Sequence, residues 1–362
     1  MNRYILPLCI TLLITSCGTH KAQFKGEPFE KYKPLENTSF TQQKLDSLTN
    51  YIKNNLETTG MLILKDGKKL YEYGDIKEVS YIASCRKSVL SILYGKYVKN
   101  GTINLNQTIG KIGIDEDNGL LEIEKTATID HIITSRSGVF YQPVNGGYDK
   151  TNILQRGTVK PGEYFVYNNW DFNVAGAILE MKSGKTVYQE IEEQLAIPLK
   201  FQDWNIKNQK KKYKKSKSRY PAYHIYISTR DMAKIGQLML NKGKWNGEQL
   251  ISKNWIKKIT TTVTPTKTIN KRYNLDKTSP FQFSYGYMWW LVDNFKNAPN
   301  FEGAYTAHGW GGQFITIIPK LNIVVAHKYK VPTLVNWGLK PGGVANHSFW
   351  QLLYDFIASE NK

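Results

Sequence analysis

Three short stretches of this sequence carry side chains that could make and break an acyl bond. Ser84-Cys85-Arg86-Lys87 has the Ser-x-x-Lys form and opens a run that reads as a helix. A spacing of three puts the hydroxyl and the amine on one helix face. A lysine held there, desolvated and close to other cations, has a lowered pKa and can accept the serine proton. The helix N-terminus adds partial positive charge where an oxyanion would develop. Ser359-Glu360-Asn361-Lys362 has the same form, but it ends the chain and opens no apolar helix. The second stretch is Tyr167-Asn168-Asn169, 80 residues after Lys87. A phenol near a lysine can relay protons to a leaving group, and an amide two residues on can hold the substrate or the lysine. The third is Ala307-His308-Gly309-Trp310-Gly311-Gly312-Gln313, whose glycines let a substrate approach a strand backbone closely. Taken singly, the second also reads as a loop tyrosine before a helix cap. The third also reads as a glycine-rich turn with a surface histidine. The six histidines form no close cluster with acids at ligand spacing, and there is no free cysteine pair. No metal site and no cofactor are expected.

Elements must hold these stretches together. The pattern predicts an amphipathic helix over residues 40–56, then a β-hairpin from Met61-Leu62-Ile63-Leu64 through Asp66-Gly67 to Leu70-Tyr71-Glu72-Tyr73. A helix follows from Ser84, with Val89, Ile92, Leu93 and Tyr97 on one face and Asn100-Gly101 as its stop. The middle, to about residue 260, reads as helices and irregular loops, clearest at 174–181 and 231–240. Strand character returns at 285–292, 313–318 and 323–328, and a helix closes the chain with Phe349, Leu352, Leu353, Phe356 and Ile357. Strands near both ends with helices between them predict an α/β (α+β) fold. Its antiparallel sheet is built from both chain ends, with flanking helices and an inserted helical region at about 100–265. A cleft is expected between sheet and insert.

The order and spacing of the three stretches resemble the serine β-lactamase-related family. The likeness is to its class C-like, penicillin-recognising branch of esterases, amidases and peptidases. It extends from about residue 45 to 358. Residues 130–138 (DHIITSRSG) look like the family's loop after the nucleophile helix, and Pro161-Gly162-Glu163 is similar to its approach to the Tyr-x-Asn element. Residues 228–236 with Trp245-Asn246-Gly247 match a helix and turn of that family, and residues 285–290 are like its strand before the third motif. The resemblance implies that Ser84 forms an acyl-enzyme, Lys87 takes its proton and Tyr167 assists proton transfer. Asn169 would contact Lys87 or the substrate. The oxyanion hole would pair the Ser84 N–H with one from about residues 310–312, so His308, Gly309, Trp310 and Gly311 are expected to border the substrate. Tyr223-His224 resembles a substrate-side stretch of the same branch. One departure is the missing Lys-Thr-Gly, whose lysine position holds Thr306, Ala307 or His308. Without that cation, binding of a substrate carboxylate is in doubt, and the sequence looks closer to ester and linear-amide hydrolases of the nylon-oligomer type. Cys85 points about 100° from Ser84 on the helix, which reads as a buried small side chain and not a thiol nucleophile.

The N-terminus sets the location. Arg3 precedes an apolar stretch to Ile14, too short to span a bilayer, and Ile14-Thr15-Ser16-Cys17-Gly18 resembles a bacterial lipobox. The alternative is an ordinary secretory signal with an accidental cysteine. Residues 1–16 then form a signal peptide, Cys17 is lipidated, residues 17–44 are a tether and residues 45–362 the hydrolase domain. Several acyl chains on one residue exceed the marginal hold of a single chain. Cys9 leaves with the signal, so Cys85 is the one thiol left and no intrachain disulfide is expected. No acidic residue lies within 18–23, which by resemblance to export signals favours the periplasmic face of the outer membrane. The formal charge of +19 concentrates in residues 207–219. With one interleaved aromatic, Tyr213, that run reads as a solvated loop, with contact to anionic headgroups or wall polymers as the alternative. The expected function is serine hydrolysis of an ester or amide in a small molecule or short peptide, with no nucleic-acid partner. The alternatives are a D,D-carboxypeptidase or β-lactamase-type wall enzyme and a catalytically silent binding lipoprotein.

Overall fold

Alternating apolar residues from the two ends of the chain build one sheet. The computed structural model describes residues 26–33, 40–147, 149–275, 279–295, 298–331 and 342–357. The signal segment, Cys17 and residues 359–362 lie outside them. Gly60–Lys65 and Lys68–Gly74 form the predicted hairpin. Its Asp66-Gly67 turn carries φ of 52° and 76°, the left-handed pair that an Asp-Gly turn adopts at low cost. Five strands from the far end complete a seven-stranded antiparallel sheet: Phe281–Tyr285, Trp290–Phe295, Tyr305–Gly309, Gln313–Ile318 and Ile323–Lys328. The two ends meet where Gly60–Lys65 pairs with Ile323–Lys328, Leu62 opposite Ala326.

Successive side chains of a strand face opposite ways, so this sheet feeds two cores. Met61, Ile63, Phe314 and Val325 pack under the helices Gln42–Asn55 and Asn346–Phe356, against Leu48, Ile52, Phe349 and Leu353. Leu62, Leu64, Ile315 and Val324 face the helical region, which brings Cys85–Lys99, Asn169–Ser183 and Thr229–Leu240 onto the sheet. Gly236 marks the closest approach: a Cβ there would sit 2.4 Å from Val324 and 3.0 Å from Ile315. The helix Cys85–Lys99 was expected to bury one face. Twelve of its fifteen residues are buried, Arg86 and Lys87 among them, because it runs between the sheet and the inserted helices. Two ionisable groups are thereby carried into the middle of the protein.

Three local expectations are corrected. Residues 285–292 are not one strand, because Tyr285 pairs with Trp290 across a tight turn. Tertiary contacts hold that turn on the serine helix. Ser88 Oγ donates to the Met288 carbonyl at 2.5 Å, and Trp289 Nε1 donates to Ser91 Oγ at 3.0 Å. The basic run is a β-hairpin, Lys210–Lys214 against Ser218–His224, and not a loop. Lys207, Lys210, Lys212, Lys214 and Lys215 are nevertheless exposed. Finally, part of the expected tether is structured. Tyr32 N–H donates to the Lys69 carbonyl and Lys69 N–H to Glu30, covering the outer edge of Lys68–Gly74. Among the described residues no helix is long and apolar enough to cross a membrane.

Candidate active site

Ser84 is the N-cap of the serine helix, in right-handed backbone geometry, and its side chain makes no capping bond. The hydroxyl is therefore free of the helix backbone and is held by a side chain one turn further on. Lys87 Nζ donates to Ser84 Oγ at 2.8 Å and to the Tyr167 hydroxyl at 2.8 Å. Three groups from two distant stretches thus form one chain. Ala83 just before the serine has φ of 48°, a left-handed conformation that costs a non-glycine residue about 1 kcal/mol or more. Ile82 N–H, bonded to the Ile225 carbonyl at 3.1 Å, anchors the strained turn.

Burial decides the protonation of this chain. Lys87 is 1 % exposed, and desolvation drives its pKa well below the ordinary lysine value, with the neighbouring Arg86 guanidinium pushing the same way. Arg86 is buried too, Nη2 donating to Asn173 Oδ1 at 3.1 Å and the guanidinium lying 4.3 Å over the Tyr223 ring. The aromatic rings of Tyr167 and Phe172 lie 4.2 and 4.5 Å from Lys87 Nζ. Burial raises the Tyr167 phenol above its usual range, so it stands as a proton donor. Cys85 is likewise pushed up by burial, its Sγ donating to the Gln313 carbonyl at 3.2 Å. It is a packed, protonated thiol.

The predicted loops position Tyr167. Ser135 Oγ donates to the Val166 carbonyl at 2.8 Å, and Val166 N–H to the Ser135 carbonyl. Gly162 N–H donates to Arg136, and Tyr167 N–H to the Tyr273 hydroxyl at 3.0 Å. The ring stacks on Trp290 with centroids 5.8 Å apart.

The third stretch closes the site. A Cβ on Gly309 would lie 2.6 Å from the Ile82 carbonyl oxygen and 3.1 Å from Ser84 N, so only glycine lets this strand come so near the nucleophile. Val292 N–H donates to the Ala304 carbonyl at 2.8 Å. Backbone groups along a strand point alternately to either side. His308 therefore aims its own away from Gln313–Ile318, on the side that Trp290–Phe295 leaves open beyond the Trp290–Thr306 pair, and the Trp310 N–H, trans to the Gly309 carbonyl that accepts from Gly312, points the same way. Ala307 faces the core with Cys85 and Val89, and Thr306 Oγ1 is spent on the Ala307 and Ile315 carbonyls and Thr316. His308 stacks on Phe314 at 4.9 Å. Burial pushes its pKa down to about 4, against a raising bond to Asn346, leaving a neutral imidazole.

Ser84, Tyr167, His308, Trp310 and Gly311 line a cavity of about 770 Å³. Tyr167, Trp290, His308 and Asn346 also border a second, of about 640 Å³. The two read as lobes of one cleft. Three predicted site residues stand elsewhere. Asn169 lines neither lobe and makes no hydrogen bond to Lys87: its Nδ2 donates to the Gly146 carbonyl and its N–H to Gly147, while its Oδ1 is buried without a partner. Tyr223 is buried in the core, its ring filling the space left by Gly176, where a Cβ would come within 2.6 Å. His224, on the opposite face of the same strand, stacks on Tyr81 at 4.5 Å and lines neither lobe. Glu57, Trp290 and Asn346 do border the cleft and were missed. Trp290 alone had a signal, at the end of the aromatic run before the third stretch.

A model of the beta-lactamase family matches residues 48–327, a span that takes in Ser84, Lys87, Tyr167 and His308. The chain belongs to the beta-lactamase family. It is a serine hydrolase of that family. Among relatives, an uncharacterized protein of Alkalihalophilus pseudofirmus is 24% identical over 269 residues, 69% of this chain and 73% of that one. Among solved structures, a candidate 6-aminohexanoate-dimer hydrolase from Bacillus anthracis superposes with a TM-score of 0.62 at 20% identity, over 92% of this chain and 87% of that one. A penicillin-binding protein homolog from Caulobacter crescentus gives 0.61 at 13% identity, over 87% and 97%. At these identities the structures speak for the shared fold.

Proposed function

We propose that this family member cleaves an ester or a linear amide through an acyl-enzyme on Ser84. The observation that carries the reading is Lys87 Nζ held 2.8 Å from both Ser84 Oγ and the Tyr167 hydroxyl inside a buried, cation-adjacent site. The neutral amine takes the Ser84 proton as Oγ adds to the substrate carbonyl carbon. The oxyanion is met by the N–H groups of Ser84 and Trp310, at the positive end of the serine helix. Tyr167, bonded to Lys87, passes a proton to the departing oxygen or nitrogen, and the carbonyl re-forms as the acyl-serine. Water then adds to the acyl carbon, giving its proton to the same pair, and Ser84 leaves with its proton restored.

The electrostatics of the cleft favour an ester or amide over a β-lactam or a wall peptide ending in a carboxylate. Among the described residues neither lobe is lined by lysine or arginine, while Glu57 and Asp149 border them. The name of the Bacillus anthracis neighbour, a hydrolase of the 6-aminohexanoate dimer, supports the linear-amide choice. Labelling of the protein with a fluorophosphonate tests the reading. One adduct is expected by intact mass, mapping to Ser84 in the peptide digest. A folded protein that takes no adduct would put the silent binding lipoprotein in its place.

The N-terminal pattern supports a lipoprotein anchored through Cys17 in a bacterial outer membrane and facing the periplasm. Cells fed an alkyne-tagged fatty acid should tag the wild-type chain and leave Cys17→Ser unlabelled. Equal tagging of the two would remove the anchor from this account.

A further inference from the structure

The two lobes differ in chemistry, and that difference says what the substrate carries. The lobe at Ser84 is walled largely by glycine backbone, with Glu57, Trp310 and Val344 beside it. The other is walled by Ile269, Leu275, Phe281, Phe283, Trp290 and Trp350. Apart from Leu275, just past the helix Thr266–Tyr273, these come from that helix, the last two strands at one end of the sheet and the C-terminal helix, so the pocket is built by elements the sheet and its cover already fix. Phe283 packs on Trp350 with ring centroids 5.0 Å apart. A volume of about 640 Å³ falls in the range of small-molecule pockets. Tyr167, Trp290 and His308 belong to both walls, so a group seated here remains connected to a carbonyl at Ser84.

Resting on the acyl-enzyme reading, we infer that this second lobe is a subsite for an uncharged, apolar chain of the substrate, attached directly to the scissile bond. An ionised end would be stranded in it. Asp149 is the one charged side chain among the described lining residues, and its carboxylate is already accepting from Thr151 N–H and from the backbone and side chain of Asn152. His308, at the mouth, is neutral. A terminal carboxylate would therefore lose its hydration and meet no lysine or arginine among the described lining residues, whereas each methylene leaving water gains about fourfold in binding when fully buried.

Two ester series on the full-length protein in lipid nanodiscs test this, one lengthening the acyl chain from acetate to octanoate and one lengthening the alcohol of an acetate. The expected result is a rise in kcat/KM of about tenfold or more over four added methylenes in one series, which identifies the side of the bond that enters the lobe. Phe283 is only partly buried, so Phe283→Arg should fold, as judged by its circular dichroism and melting. It should flatten the rise and improve an ester whose chain ends in a carboxylate. Flat series on both sides, with Ser84 still labelled by fluorophosphonate, would overturn the subsite and leave the hydrolase reading standing. So would a wild-type preference for the carboxylate-ended ester. Failure of the labelling itself would remove both.

Discussion

Ser84→Ala should lose ester turnover by at least three orders of magnitude while melting within a few degrees of the wild type. The size of the loss follows from the mechanism: without Oγ no acyl-enzyme forms, and only binding and the oxyanion donors remain to help a water attack. The small cost in stability follows from the geometry. Ser84 makes no side-chain capping bond, so the hydroxyl contributes little to the helix it begins. Its hydroxyl bonds to Lys87 and Tyr167, and those two keep each other when it is removed. Initial rates on a p-nitrophenyl ester, with melting by differential scanning calorimetry, read both halves. Activity above about one per cent in a folded Ser84→Ala protein would mean that another group is the nucleophile.

Lys87→Met separates the proton acceptor from the fold still more sharply. General acid–base groups contribute about 10²–10⁴ in rate, and a loss of that size in kcat/KM is expected. The wild-type profile should fall on the acid side as Lys87 takes up a proton, at a pH well below the ordinary lysine value because burial and Arg86 have lowered it. The residual activity of Lys87→Met should lack that limb. Stability runs the other way. The folded pKa lies below the unfolded one, so between the two values the unfolded chain binds more protons and stability rises with pH. The penalty is thus present at neutral pH and vanishes only above the unfolded value of about 10.4. Methionine has nearly the same shape and carries no charge to desolvate. The substituted protein should melt no lower than the wild type at neutral pH, and calorimetry at neutral and alkaline pH would show the gap narrowing as the pH rises. A clear drop in melting temperature at neutral pH would mean that the hydrogen bonds of Lys87 outweigh its desolvation, and that the site is less strained than argued.

Both predictions rest on residues that the sequence exposed through spacing. Ser84 and Lys87 lie three apart on one helix, so local geometry alone makes them neighbours, and the 2.8 Å contact is what a helical turn provides. The hairpin at 60–74 and the closing helix were legible for the same reason. Their periodicity is local, and burial of one face enforces it. Tyr285-Gly286-Tyr287-Met288-Trp289-Trp290 shows where local reading stops. Its β-forming composition favours one strand, yet the carbonyl of Met288 and the indole of Trp289 find Ser88 and Ser91 on a helix nearly 200 residues away in the chain, and the strand folds back on itself. Asn169 shows a related limit: its amide donors are taken by the loop at 146–147, a contact that no spacing along the chain announces.

The sequence by itself pointed to the family, to Ser84, Lys87 and Tyr167 as candidates for nucleophile, base and proton donor, and to the origin of the sheet in both chain ends, because each of these is written in short spacings and in alternation. Tertiary structure alone decided the electrical state of the site and the shape of the cleft. The Lys87 pKa is lowered because the side chain is packed between sheet and inserted helices beside Arg86, and burial is a property of the whole fold. The proposal of Trp310 as second oxyanion donor depends on which way the backbone amides beside the serine point, and that is set by the strand pairing. The apolar lobe, finally, is made of side chains from four separate elements. No spacing along the chain encodes it, because its walls meet only when the sheet closes and the last helix lies down across it.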